Sequence, residues 1–121
     1  MIRLTHQFVV RFVLCGLTTA AFAQTPAPTK FRHEIKPGKI EEECRAVAAG
    51  TKTEYRFSAS APVAFNVHFH KGNAVEYPVK VEVTNGERGT FTAPSPEEFC
   101  WMWTNSSKSN VIVEGNLTEV R

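Results

Sequence analysis

The stretch Val63 to His70 leaves the chain the least freedom. Val63, Phe65, Val67 and Phe69 alternate with Ala64, Asn66, His68 and His70. Side chains alternate across a strand, so this segment must be extended, with one apolar face and one polar face that carries two histidines. The same period of two recurs along the chain. Tyr55 and Phe57 alternate with Glu54, Arg56 and Ser58, and Val79, Val81 and Val83 alternate with Lys80 and Glu82. Phe31–Ile35, Ile40–Val47, Gly89–Ala93, Phe99–Thr104 and Val111–Val120 supply further short strands. Turn or breaker residues separate them: Pro37-Gly38, Ala49-Gly50, Ala61-Pro62, Lys71-Gly72-Asn73, the hairpin-like Asn85-Gly86, and Pro94-Ser95-Pro96. Ile40–Ala49 contains helix-forming Glu and Ala, yet Gly38 and Gly50 bound it and a strand is favoured. The expected fold is all-β: an antiparallel, jelly-roll-like β-sandwich of about seven to eight strands.

The N-terminus has the three-part layout of a secretory signal peptide. Arg3, His6 and Arg11 precede an apolar run from Phe12, which ends in Ala21-Phe22-Ala23 before Gln24. The uncharged run is shorter than the roughly 20 residues that a bilayer core requires. Residues 1–23 are therefore expected to be cleaved, 24–29 to form a Pro-rich spacer, and 30–121 to form one domain that is periplasmic or secreted. Cleavage changes the charge. The full chain has 14 Lys+Arg against 12 Asp+Glu; without Arg3 and Arg11 the mature domain is neutral, which removes any argument for a nucleic-acid partner. No membrane span is expected in the mature chain. Cleavage also removes Cys15, leaving Cys44 and Cys100. A pair of cysteines in an exported domain is most simply a disulfide.

From Gly89 to Ser107 the chain reads G-T-F-T-A-P-S-P-E-E-F-C-W-M-W-T-N-S-S. The order of Gly89, Phe91, Phe99, Cys100, Trp101, Trp103 and Asn105 resembles the closing strands of a GOLD (Golgi dynamics) domain. Glu43-Cys44, the Gly50 turn, Tyr55-Arg56-Phe57 and the Phe65–His70 strand also fit. The resemblance implies a compact sandwich used for protein or lipid recognition, with no catalytic residues. Cargo receptors of that family continue into a coiled coil and a membrane helix, neither of which is found before Arg121.

His68 and His70, at i and i+2 on one strand face, can point two imidazoles at one copper or zinc ion, with His33 as the candidate third ligand. A cupredoxin-like site on Cys100 and Met102 would need a free thiolate, which a disulfide removes. Trp101 and Trp103 share a face with Phe99. If Cys100 points into the core to meet Cys44, the indoles face outward as a recognition platform; if the indoles are core, the disulfide lies near the surface. Alternatively Phe31–Ile35 covers them. Glu41-Glu42-Glu43 and Glu97-Glu98 read as solvated edges. All 12 acidic residues are Glu, so there is no Ser-His-Asp set, and no G-x-S-x-G, phosphate loop or C-x-x-C occurs. Two stretches, Asn105-Ser106-Ser107 and Asn116-Leu117-Thr118, fit the glycosylation sequon. The expected function is a non-enzymatic binding module for a protein or small ligand outside the cytoplasm, with Asn66, His68, His70, Trp101 and Trp103 as its candidate surface and no obligatory cofactor. Periplasmic metal binding through His68 and His70 is the alternative.

Overall fold

The computed structural model describes Ala21 and residues 26–120. The expected signal peptide lies almost wholly outside these residues, as does the start of the spacer; Thr29 already belongs to the first strand. Six strands follow in order: β1 (Thr29–Ile35), β2 (Ile40–Val47), β3 (Lys52–Lys71), β4 (Ala74–Thr92), β5 (Glu97–Thr104) and β6 (Val111–Val120). All pairings are antiparallel. The all-β expectation holds, and the candidate helix at Ile40–Ala49 is strand β2.

The strand count is corrected from seven or eight to six, because two breakers do not break. Ala61-Pro62 lies inside β3 and Asn85-Gly86 inside β4. β3 and β4 are long paired strands that bend together at this point. Between Ser58 and Val63 the β3–β4 register shifts, so that four residues of β3 bulge against Asn85. A bulge bends a strand and sharpens its twist, and it tolerates a proline, which has no N–H to give to a ladder. On β4 the Thr84 hydroxyl donates to the Gly86 carbonyl at 2.7 Å and accepts the Gly86 N–H at 3.0 Å, satisfying the kink locally. A Cβ at Gly86 would sit 2.7 Å from the Phe57 carbonyl oxygen, so this glycine admits the neighbouring backbone and does not mark a hairpin.

The bend divides one curled sheet into two layers. The first half of β3 pairs with β6 and the second half with β5, while β4 follows on the other side. One layer is thus β1-β6-β3-β4 and the other β2-β5-β3-β4. The true hairpin between β3 and β4 is at Gly72-Asn73, where Gly72 has φ of +60° and Lys71 pairs with Ala74. Positive φ at the first central residue is the requirement of a type II′ turn.

The core lies between the layers. It contains Phe31, Ile35, Phe57, Val63, Phe65, Val67, Phe91, Phe99, Trp101, Trp103, Val111, Val113 and Leu117. Phe57 packs its ring edge-on to Trp103, with centroids 5.5 Å apart, and Phe91 does the same to Trp101 at 5.9 Å. Such aromatic pairs add about 0.5–1.5 kcal/mol each to the burial of their area. The layers remain unpaired at the seam between β1 and β2, which is closed by side chains: His33 Nε2 lies 2.8 Å from Glu43 Oε1, and the imidazole rests against Phe31 and Trp103.

Candidate functional site

Cys44 and Cys100 form a disulfide and sit directly opposite one another on β2 and β5. The bridge therefore joins neighbours within one layer and does not cross the sandwich. This decides the orientation of β5. Cys100 and Met102 turn away from the core; Phe99, Trp101 and Trp103 turn into it. Both indoles are completely buried, which corrects the outward recognition platform of Trp101 and Trp103. Two indoles remove far more apolar area from water than a sulfur bridge does, so burying them is the stronger drive. Phe31 of β1 packs on Trp103, with centroids 4.7 Å apart, but from the core side.

The outer face of the β2-β5-β3-β4 layer carries the remaining candidate residues, and register orders them in cross-strand rows. Ile40, Thr104 and Ala64 form the first, Glu42, Met102, Asn66 and Lys80 the second, and Cys44, Cys100 and His68 the third. His70 faces Val75 in the fourth. Against His68 the β4 register slips across Tyr77-Pro78, and the Tyr77 ring lies 5.7 Å from the His68 ring.

These neighbours sink two of the expected surface residues. Asn66 is 8% exposed and His68 5%, while His70 is open to solvent. His68 Nδ1 lies 2.8 Å from Asn66 Oδ1. An amide oxygen only accepts, so Nδ1 carries the hydrogen and Nε2 keeps its lone pair. That lone pair faces Glu42 Oε2 at 3.8 Å, and the His70 ring stands edge-on with its centroid 5.5 Å away. Burial pushes the His68 pKa below the usual histidine value; Glu42 opposes this and the neighbouring His70 adds to it. His68 is thus held neutral, as one fixed tautomer.

Cys100 Sγ is grouped within 4.8 Å of the donors of Glu42 and His68, but it is bonded to Cys44. That removes the thiolate which a cupredoxin-like site would need. His33 does not join the other histidines: it lies on the core side of the layer, paired with Glu43. Glu42 and Glu43 are therefore not simply solvated edge charges, since consecutive strand residues face opposite ways and each meets a different histidine.

Exposed apolar residues gather on the same outer face. Among the described residues the large exposed hydrophobics are Ile40, Val75, Tyr77, Val83 and Val120. Ile40, Val75 and Tyr77 lie on this face, and Val83 lies at the β4 bulge beside Ala64. Sequence reasoning missed Glu42, Tyr77 and Ile40, because their convergence depends on a register that strand alternation alone does not specify. No helix of the described residues is long and apolar enough to cross a membrane.

No known family's sequence profile matches the chain, and no curated protein matches it. Solved structures share the fold. A periplasmic inhibitor of g-type lysozyme from Aeromonas hydrophila superposes with a TM-score of 0.59 at 11% identity, over 84% of this chain and 93% of that one. The pre-peptidase C-terminal domain of a Bacillus anthracis collagenase has a TM-score of 0.60 at 11% identity, over 75% of this chain and 89% of its own. The Yersinia pseudotuberculosis-derived mitogen has a TM-score of 0.60 at 11% identity, over 77% and 86%. At such identity the likeness defines the fold class, a β-sandwich. None of these three is a GOLD-type domain.

Proposed function

We propose that this chain is a non-enzymatic binding module acting outside the cytoplasm, and that it engages a protein through the outer face of the β2-β5-β3-β4 layer. Val75 and Tyr77 beside the exposed His70, with Ile40 and Val83 farther along the same layer, carry the reading. Exposed large apolar side chains within a polar surround are a feature of protein-binding surfaces. The disulfide braces the face within its own third row, and the buried Asn66–His68 pair stiffens its centre. The periplasmic lysozyme inhibitor and the recognition role implied by the GOLD resemblance support the use of such a sandwich for binding. The inhibitor makes g-type lysozyme the first probe, followed by the exported proteins of the host. Immobilised mature domain is expected to retain a partner that the Ile40→Glu/Tyr77→Glu variant releases. Equal retention by that variant would contradict the reading.

One observation supports a second reading, metal binding. A histidine that donates one ring N–H to an oxygen acceptor has its ring orientation fixed and its other nitrogen free to meet a metal. His68 Nε2 and the Glu42 carboxylate are two neighbouring donors of the kind copper(II) or zinc takes, and the exposed His70 ring stands beside them. In calorimetric titration of the oxidised domain, copper or zinc binding should vanish in His68→Ala/His70→Ala; unchanged affinity would end this reading.

A further inference from the structure

The opposite face of the molecule carries a different pattern. In the β1-β6-β3-β4 layer the register sets Lys30 opposite Asn116, Asn116 opposite Arg56, and Arg56 opposite Arg88. These four residues form one row across all four strands, on the outer face: their sequence neighbours Phe31, Leu117 and Phe57 are core. Lys30, Arg56 and Arg88 are exposed. Among the described residues none of the three has a carboxylate within salt-bridge distance. The adjacent row differs. There Arg32 meets Glu114 at 3.6 Å and the charges cancel.

Like charges placed directly opposite on paired strands destabilise a sheet. Arg56 facing Arg88 is therefore a cost to folding that an anion would relieve. The two arginines, Asn116 and Thr90 line a surface cleft, of which Glu54 is the only acidic wall. Guanidinium forks bind sulfate and carboxylate groups through paired hydrogen bonds, and the Asn116 amide adds a neutral donor. Three inter-strand steps make the row about 14 Å long. One small anion cannot fill it, whereas a linear chain with repeated charges can.

The geometry points to an acidic-polysaccharide site on this row, with Arg56 and Arg88 as its centre and Lys30 at its end. It is independent of the apolar face on the other layer. An exported domain with both surfaces would hold a protein on one side and an anionic glycan on the other. Charge complementarity selects a linear polyanion, and for a domain read as exported the polyanion proposed is a chain of sulfated or carboxylated sugar units lying across the strands.

The test is titration of the mature, oxidised domain at low salt with a heparin hexasaccharide, a polygalacturonate oligomer of similar length, inorganic sulfate, and neutral dextran. At least one of the two acidic sugars should bind, more tightly than sulfate, with an affinity that falls as salt rises; dextran should not bind. Arg56→Gln/Arg88→Gln should weaken the acidic sugar at least threefold, while Arg32→Gln weakens it less. The double variant should also melt no lower than the parent, because it relieves a repulsion; Arg88→Gln alone serves if the double variant fails to fold. No binding of either acidic sugar, a loss below threefold, or an equal loss in Arg32→Gln would overturn the site.

Discussion

His68 donates its Nδ1 hydrogen to Asn66 Oδ1 at 2.8 Å, two residues away on the same strand face. The contact orients a buried imidazole, and the burial gives stability a pH dependence. The His68 pKa is lowered in the folded state, chiefly by burial. Below the unfolded histidine pKa, near 6.5, the unfolded chain takes up a proton that the folded one refuses. Stability should be fully present above that pH, and should fall as pH drops from about 6.5 toward the lower folded value. His68→Gln should flatten this slope in urea melts at pH 7.5 and 5.5. An unchanged slope would show that His68 is not its source.

The disulfide closes a long loop between strands that are already paired, with Cys44 and Cys100 separated by 56 positions. Chain entropy assigns about 4 kcal/mol to a loop of this size. Cys44→Ala/Cys100→Ala should therefore unfold at a markedly lower urea midpoint while keeping its strand signature in far-UV circular dichroism.

Gly115 of β6 sits directly opposite Phe57 of β3. A Cβ there would meet the Arg56 carbonyl oxygen and lie 2.8 Å from the Phe57 Cα and Cβ. Backbone cannot swing aside as a flexible side chain does. Gly115→Ala should cost about 1–3 kcal/mol, the range for overpacking a filled interior, measurable as a drop in Tm. Gly38, where a Cβ meets nothing within 4 Å, is limited by its φ of +70° instead.

Asn105 is fully buried and ties the end of β1 to the β5–β6 loop. Its Nδ2 donates to the Ile35 and Ser109 carbonyls, both at 2.8 Å, and its Oδ1 accepts the Ser107 N–H at 2.9 Å. Asn105→Ala should lose about 1–3 kcal/mol, since it strands the buried Ile35 carbonyl and releases the half-buried bonds to Ser107 and Ser109. The same bonds make this sequon a poor acceptor: in a glycosylating host, mass spectrometry should find no glycan on Asn105.

Local alternation made most of the fold legible. Phe65 and Val67 face the core as expected, and Pro37-Gly38, Ala49-Gly50 and Lys71-Gly72-Asn73 turn where they should. The misreadings share one cause. Ala61-Pro62 and Asn85-Gly86 have the composition of turns, yet the two strands bulge and bend there as a pair, so chain direction continues. Composition reports local backbone freedom, but not whether a partner strand bends alongside. The candidate site was legible in part. Alternation placed Asn66, His68 and His70 on one face, but their burial depends on Glu42, Met102 and Tyr77 from three other strands. Trp101 and Trp103 went to the core because Cys44 and Cys100 are neighbours in one layer, a pairing fact that no spacing along the chain contains. The row of Lys30, Asn116, Arg56 and Arg88 is likewise a product of register.

The central claim is that the β2-β5-β3-β4 face is the surface that meets a protein partner. A photo-cross-linking residue placed singly at Ile40, at Tyr77 and, as a control, at the exposed loop residue Lys108 tests it most directly. After irradiation with the host's exported protein fraction, positions 40 and 77 should give the same discrete adduct and position 108 none. No adduct at either face position, or equal adducts at all three, would contradict the assignment of the face.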